Sequence, residues 1–162
     1  EFLRKKGALK AAKREGRATS EGRIGSYIHM NGKIGVLLEL NCESDFVAKT
    51  DQFAEIVKDL CMHVAASSPQ WIAPEDVPED VVAKEKEIYM VQAKEAGKPE
   101  KILEKIAEGK LTKFYEDNCL LDQKFVKDTD KTVREMIKEK IAQLGENITV
   151  GRFTRFQLGQ SQ

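Results

Sequence analysis

The sequence has few histidines, the residue that most often transfers protons in enzymes. Of its 162 residues only two are histidines, His29 and His63, and neither has a companion at catalytic or metal-ligand spacing. The sequence also has no glycine-rich loop with the spacing of a phosphate-binding motif. It therefore favours a protein that acts by binding, and it predicts no catalytic residue, no metal site and no cofactor.

Cysteine is scarce, and its spacing is not that of a disulfide framework. Cys42, Cys61 and Cys119 are odd in number and form no CxxC pair, which argues for a reducing compartment. On a helix, Cys61 and His63 would lie about 200° apart around the axis, so they cannot bind one metal ion together. We interpret Cys61 as a core residue and His63 as a structural residue, with a partner contact as the alternative for His63.

Long apolar runs and an overall charge of one sign are also missing. No run approaches the roughly 20 apolar residues of a membrane span, and no secretory signal is visible. Lys plus Arg and Asp plus Glu are 27 each, so the whole chain has no charge bias toward nucleic acid or anionic lipid. We therefore predict no membrane contact and expect no direct nucleic-acid contact. Residues 1–17 are strongly basic, so a ribosome- or RNA-associated role for this segment is the alternative.

Strand and helix patterns are present in the first half of the chain. Apolar residues alternate on both sides of Asn31-Gly32, which predicts a β-hairpin with a type I′ turn and positive φ at both turn residues. After Thr50, a plausible N-cap, apolar residues recur at helical spacing at Phe53, Ile56, Val57, Leu60, Cys61 and Val64. This spacing predicts an amphipathic helix that lies on the hairpin.

The second half predicts mainly helices. Two helices at about 78–96 and 99–118 predict an antiparallel hairpin, and the few apolar positions of its first arm predict that this arm projects or leans on a partner. A helix at about 131–144 begins with the capping box of Thr132 and Glu135 and precedes a last strand with a bulge at Gly151.

These elements together predict an α+β fold. Its centre is a three-stranded antiparallel sheet packed on helices, with the antiparallel helical hairpin inserted between the second and third strands. We predict two parts of the chain, a basic helix and linker at 1–21 and a core domain at 22–162 that contains the hairpin at about 78–118.

The segment Ser44-Asp45-Phe46-Val47 places a carboxylate beside a large aromatic ring where a strand gives way to a helix. In one interpretation, Ser44 or Asp45 caps a helix and Phe46 packs the turn onto the core. In the other, the turn protrudes and Phe46 points outward, as an aromatic residue of the kind that protein interfaces favour. The residue types alone leave both interpretations open.

The order of the motifs resembles the elongation factor Ts family, the guanine-nucleotide exchange factors of elongation factor Tu. The matching stretches follow the family order from residue 3 to residue 159 and are LRKKGALKAAK, GSYIHMNGKIGVLLELNCESDFVAKTDQF, DLCMHVAASSP, GKPEKILEKIAEGK, FVKD, LGENITV and RFTRFQLG. So many matches in one order are specific, although none is specific by itself.

The resemblance implies an exchange factor for elongation factor Tu during translation elongation. By the resemblance, the Asp45-Phe46 turn wedges into the GTPase beside its magnesium and nucleotide site and promotes GDP release. Ser44 stands where the family usually has Thr, and Leu144 where it usually has Ile; both replacements are mild. The implied partner-binding residues are Ser44, Asp45, Phe46, Val47, His29, Leu144 and Gly145.

The resemblance also implies a homodimer through the core domain, as in short members of the family. Thr154 lies in the region where some short relatives have an intersubunit cysteine, so we expect a non-covalent dimer. We expect the helical hairpin to reach a second copy or the far domain of the GTPase. Relatives begin with a three-helix domain of which this sequence carries only the end, so we expect weakened exchange. The implied location is the cytoplasm, or a plastid or mitochondrion.

Overall fold

The structure is a computed structural model that describes residues 2–160; the side chains of residues 2–6 and 10 lie outside the description. Two compact units make up these residues, one formed by 2–68 and 124–160 and the other by 69–123. In chain order the helices and strands are α1 (Phe2–Arg14), β1 (Glu21–Ile28), β2 (Ile34–Cys42), α2 (Asp45–Ala48), α3 (Asp51–Ser67), α4 (Glu79–Glu95), α5 (Leu103–Asn118), β3 (Lys124–Phe125), β4 (Asp128–Thr132), α6 (Val133–Leu144) and β5 (Ile148–Gln157).

The first unit is built on an antiparallel sheet with the strand order β1-β2-β5. Alternate residues of β2 point inward and are almost fully buried, at Val36, Leu38, Leu40 and Cys42. They meet the predicted apolar face of α3, because that helix packs on β1 and β2. The predicted α+β class, with helices on a three-stranded antiparallel sheet and a helical hairpin between its second and third strands, is confirmed.

Two threonine caps and one glycine bulge lie where the sequence predicts them. Thr50 caps α3 by accepting a hydrogen bond from the Phe53 N–H, and Thr132 caps α6 in a reciprocal box with Glu135. The register of β2 with β5 shifts between Glu39 and Leu40, which pair with Arg152 and Val150, so the intervening Gly151 is the bulge residue.

The turn of the β1–β2 hairpin differs from the prediction. His29 donates its backbone N–H to Ile34 O at 2.9 Å, and Gly32 donates to His29 O at 2.7 Å, so the loop spans the four residues 30–33. Gly32 has a φ of 70°, whereas Asn31 has no positive φ, so the predicted type I′ turn was wrong. The Asn31 side chain instead accepts the Lys33 N–H at 3.0 Å, which stabilises the longer loop.

A second, two-stranded sheet formed by β3 and β4 was not predicted from the sequence. Its strands are two and five residues long, too short to give an alternating pattern. The predicted helix start at about 131 also falls inside β4, and α6 begins only after Thr132.

The second unit contains the antiparallel pair α4 and α5. Small or apolar side chains are buried in it at Ala93, Leu103 and Ala107. Between the arms, Lys86 Nζ lies 3.4 Å from a Glu104 oxygen, and Lys110 Nζ lies 5.9 Å from the centre of the Tyr89 ring. Burial and the neighbouring Glu85 carboxylate raise the pKa of Tyr89 to about 12.

The only tryptophan of the chain also lies in the second unit. Trp71 pairs with Cys119 in an isolated parallel bridge, and its ring centre is 6.0 Å from that of Phe114. The backbone carbonyl of Trp71 accepts the Leu120 N–H at 2.8 Å. The irregular segment before α4 is thereby tied to the end of α5.

Helix α3 approaches β1 most closely at Gly25. A Cβ atom built on Gly25 would lie 2.1 Å from Val57 Cγ1 and 3.6 Å from Cys61 Sγ. Val57 is buried on α3, and its β-branched side chain has one strongly preferred rotamer on a helix, so it cannot easily move aside. The absence of a side chain at Gly25 therefore sets the distance between helix and sheet.

We predict that Gly25→Ala destabilises the protein by about 1–3 kcal/mol, because the added methyl group overpacks the contact with α3. Denaturant unfolding followed by far-UV circular dichroism measures this loss. Gly35→Ala is the matched control, since its Cβ would meet only the terminal Ile28 Cδ1 at 3.1 Å, which can rotate away. Equal stability of the two variants would contradict the close packing, whereas recovery in Gly25→Ala/Val57→Ala would support it.

Candidate functional site

The Ser44–Val47 turn is a single capped helical turn with an outward aromatic ring. The Ser44 side chain accepts the Val47 N–H at 3.2 Å and caps α2. Val47 and Ala48 point inward and are buried, whereas the Phe46 side chain is 82% exposed. Both sequence interpretations hold in part, since Ser44 does cap a helix, but Val47 rather than Phe46 packs the turn onto the core.

The carboxylate of Asp45 lies beside the exposed ring and remains accessible. Lys49 Nζ lies 2.8 Å from Asp45 Oδ2, one helical turn away. The hydrogen bond from Lys49 and the charge of Asp45 raise the pKa of the Lys49 ammonium group. Because both side chains are mostly exposed, this ion pair contributes little to stability, and a partner can compete for the carboxylate.

The start of the turn is bound by the loop between α6 and β5. Glu146 Oε1 accepts the backbone N–H groups of Glu43 at 3.1 Å and of Ser44 at 2.9 Å. Glu146 Oε2 accepts the Ser44 hydroxyl at 2.5 Å. One carboxylate therefore fixes both the backbone and the side chain of the capping residue.

The carboxylate of Glu43 in turn accepts a hydrogen bond from the loop that carries Glu146. Glu43 Oε2 accepts the backbone N–H of Asn147 at 2.6 Å, and the guanidinium group of Arg17 lies 3.7 Å from Glu43 Oε1. The buried Asn147 amide donates to the carbonyl oxygens of Glu15 and Arg17 at 3.0 and 2.8 Å. The segment after α1, the end of β2 and the loop before β5 thus meet in one hydrogen-bonded junction, which we call the Glu43–Glu146 junction.

The structure brings most of the predicted partner-binding residues together. Leu144 and Gly145 are half-buried and directly precede Glu146, so they lie beside the junction that holds Ser44. Gly145 has a φ of 79° and ends α6. We call these residues, together with the Ser44–Val47 turn, the candidate contact surface.

His29 is separate from this surface. Strand β1 ends at Ile28, next to His29, and begins at Glu21, which pairs with Cys42 beside the Ser44–Val47 turn. His29 is eight steps along the chain from Glu21, which in extended conformation corresponds to about 25 Å. His29 Nδ1 lies 2.9 Å from the Tyr27 hydroxyl, and the ring is half-buried at the far end of the hairpin.

The three cysteines and His63 lie in the core. Cys61 is fully buried, and this burial raises the pKa of its thiol to about 11. His63 is also fully buried, with Nδ1 accepting the Val126 N–H at 3.2 Å and the ring stacked on Phe125. Burial raises the pKa of the Cys42 thiol, and the Glu146 charge raises it further. Among residues 2–160, no group of three or more His, Cys, Asp and Glu side chains has a metal-binding arrangement.

The alternative RNA-binding segment has seven basic residues, and the side chains of four of them lie outside the described residues: Arg4, Lys5, Lys6 and Lys10. Of the other three, Lys13 and Arg17 are exposed and Arg14 is half-buried. Helix α1 itself lies against α6, with Ala11 fully buried. None of the helices described is long and apolar enough to cross a membrane.

Sequence reasoning missed the residues of the Glu43–Glu146 junction. Glu43 and Glu146 are separated by 103 positions, so no local periodicity relates them. Both lie directly beside predicted contact residues, in Glu43-Ser44 and Gly145-Glu146, and this adjacency was the only available signal.

The outer face of the sheet is a second exposed surface. Ile24, Ile28, Leu37 and Phe156 lie on this face, and each is at least half exposed. Gly35 lies between Ile28 and Phe156 in the register, so the face has a depression at the end nearest the β1–β2 loop. Isolated apolar residues are common on protein surfaces, but a continuous apolar patch indicates a binding surface. We call it the outer sheet face.

Comparison with known proteins gives similarity along nearly the whole chain. Residues 9–160 match the family described as Elongation factor TS. Elongation factor Ts of Fervidobacterium nodosum is 60% identical over 160 residues, which cover 99% of this chain and 81% of that protein. The proteins of the same name from Thermosipho melanesiensis and Geobacter metallireducens are 59% and 56% identical, with 99% of this chain and 82% and 74% of theirs covered.

We predict that Phe46→Ala changes the free energy of unfolding by no more than about 0.5 kcal/mol, because the ring has few contacts to lose. Phe53→Ala, in the buried face of α3, is the matched comparison and should cost about 3–5 kcal/mol. Denaturant melts of both variants test this difference. A loss of several kcal/mol for Phe46→Ala would contradict an outward ring.

Proposed function

The chain belongs to the elongation factor Ts family, and we propose that it promotes GDP release from elongation factor Tu by inserting Phe46 and Asp45 beside the magnesium and nucleotide site. The observation that carries this proposal is the 82% exposed Phe46 on a turn whose flanking residues are buried or hydrogen-bonded. A well-solvated protein gains nothing for its own stability by leaving a phenylalanine in water. An interface residue, in contrast, must be exposed before its partner binds.

Exchange of this kind requires differential binding and no catalytic group. A protein that binds the nucleotide-free GTPase more tightly than the GDP-bound form must weaken GDP binding by the same factor. An aromatic ring that occupies space closed in the GDP-bound form, beside a carboxylate that repels phosphate and competes for magnesium, supplies such a difference. We therefore assign partner-binding residues and no catalytic residue.

Preorganisation of the turn makes this binding efficient. Val47 and Ala48 are buried, Ser44 caps α2, and the Thr50 hydroxyl donates to Val47 O at 2.8 Å while capping the next helix. The backbone that carries Phe46 is thus ordered before the partner arrives, so less conformational entropy is lost on binding. Leu144 and Gly145 extend the same contact, and His29 makes a separate one at the far end of the hairpin.

We predict that Phe46→Ala lowers the kcat/KM of catalysed GDP release by roughly thirtyfold or more, since an aromatic interface hot spot contributes about 2 kcal/mol or more. Stopped-flow release of a fluorescent GDP analogue from elongation factor Tu measures the rate. Val126→Ala is the control, because it truncates an exposed apolar residue on the turn between β3 and β4, outside the proposed contact. If the Phe46→Ala variant releases GDP as fast as the parent, the wedge role is refuted.

A second copy of the chain is the proposed occupant of the outer sheet face. Two such faces can pack as aligned sheets about a two-fold axis, which places the same apolar residues on both sides. The charged groups on this face are already paired, with Arg152 Nε 3.3 Å from Glu39 Oε1, so two copies meet without net repulsion. This interface agrees with the homodimer expected from short members of the family.

We expect the protein to act in the cytoplasm or in an organelle.

We predict that Leu37→Glu converts a dimer to a monomer, because it places a charge at the centre of each outer sheet face. Sedimentation velocity between low and high micromolar concentrations measures the mass, and circular dichroism checks the fold. Val126→Glu, with the same change at another exposed apolar position, should leave the mass unchanged. A parent protein that stays monomeric, or a Leu37→Glu variant that stays dimeric, would contradict this interface.

A further inference from the structure

The outward direction of the Phe46 ring requires that its turn be held in one orientation on the body of the protein. The end of the turn is held by the buried side chains of Val47 and Ala48 and by the Thr50 cap. The start of the turn, at Glu43 and Ser44, is only half-buried. Glu146 accepts the two backbone N–H groups and the Ser44 hydroxyl. The Cys42 thiol donates to the Ser44 carbonyl oxygen at 3.2 Å, and the Glu43 side chain accepts the Asn147 N–H.

We infer that Glu146 is a positioning residue that holds the Ser44–Val47 turn in the conformation that presents Phe46. The inference rests on the proposed exchange function and deepens it, because Glu146 touches no nucleotide and acts only through Ser44. It also gives the loop before β5 a role beyond the contacts proposed for Leu144 and Gly145.

The two oxygens of the Glu146 carboxylate accept different donors. Oε1 accepts two successive backbone N–H groups, of Glu43 and Ser44, and so fixes the direction in which the chain enters the turn. Oε2 accepts the Ser44 hydroxyl proton. Hydrogen bonds to a charged acceptor are stronger than neutral ones, so a single side chain restrains three donors.

The restraint reaches Phe46 through the Ser44 hydroxyl. Because this hydroxyl donates its proton to Glu146, its lone pairs remain directed at the Val47 N–H, which it accepts at 3.2 Å. Val47 directly follows Phe46, so the cap sets the orientation of the helical turn that carries the ring. A Ser44 hydroxyl without Glu146 can rotate to water and leave the cap weaker.

The junction has a second attachment, so loss of Glu146 should loosen the turn without unfolding the protein. Glu43 still accepts the Asn147 N–H, and Asn147 still donates to Glu15 and Arg17. Glu146→Gln keeps a carbonyl acceptor of the same reach for the two backbone N–H groups. Glu146→Ala keeps none of the three bonds.

Amide hydrogen exchange in the free protein tests the positioning role without any partner. In Glu146→Ala the amides of Glu43, Ser44 and Val47 should exchange at least about tenfold faster than in the parent, while the amides of α3 keep their rates. Glu146→Gln should recover most of the protection. Thr132→Ala, which removes the cap at the other end of α6, is the control for general destabilisation and should leave these three amides unchanged. Unchanged rates in Glu146→Ala would overturn the inference.

A double-mutant cycle then links Glu146 to Phe46. Glu146→Ala should lower the kcat/KM of GDP release about tenfold in the parent background and less than about twofold in the Phe46→Ala background, because both changes remove one function. Equal losses in the two backgrounds would mean that Glu146 does not act through Phe46. If Phe46→Ala alone has no effect, the proposed function fails, and the amide exchange result still decides whether Glu146 positions the turn.

Discussion

The architecture of the partner-facing surface depends on hydrogen bonds between carboxylates and backbone amides at the Glu43–Glu146 junction. Glu146 binds the end of β2, and Glu43 binds the loop that begins β5. These strands are neighbours in the sheet. Because Cys42 pairs with Ile148, the turn after β2 and the loop before β5 lie at the same end of the two strands. Each carboxylate therefore satisfies donors that the sheet ladder no longer reaches, and two loops that would otherwise move independently become one unit.

Helix α2 satisfies two opposing requirements, which are burial for stability and exposure for binding. In α2 the first two residues, Asp45 and Phe46, are exposed, and the next two, Val47 and Ala48, are buried. A single helical turn achieves this because its side chains point in different directions around the axis. The cost of exposing one phenylalanine is offset by the rest of the core, in which α3 packs closely on the sheet at Gly25.

Local patterns in the sequence were sufficient for the elements but not for their long-range contacts. The apolar spacing after Thr50 predicted α3 and its buried face, and Gly151 was recognised as a bulge. The hairpin was predicted correctly, but its turn type was wrong: the loop has four residues, and Asn31 accepts the Lys33 N–H with its side chain and has no positive φ. The direction of Phe46 and the pairing of Glu43 with Glu146 depend on chain segments about a hundred residues apart, which no periodicity records.

The position of Trp71 has a consequence for spectroscopy. Its indole ring lies against Phe114 within residues 69–123, and the other compact unit contains no tryptophan. Tryptophan fluorescence, excited at the long-wavelength edge of the protein's absorption, therefore reports on the helical-hairpin unit alone. Circular dichroism reports on both units. Comparing the two signals measures the cooperativity of unfolding. Coincident transitions indicate that both units unfold together, and separate transitions indicate that the helical-hairpin unit unfolds by itself.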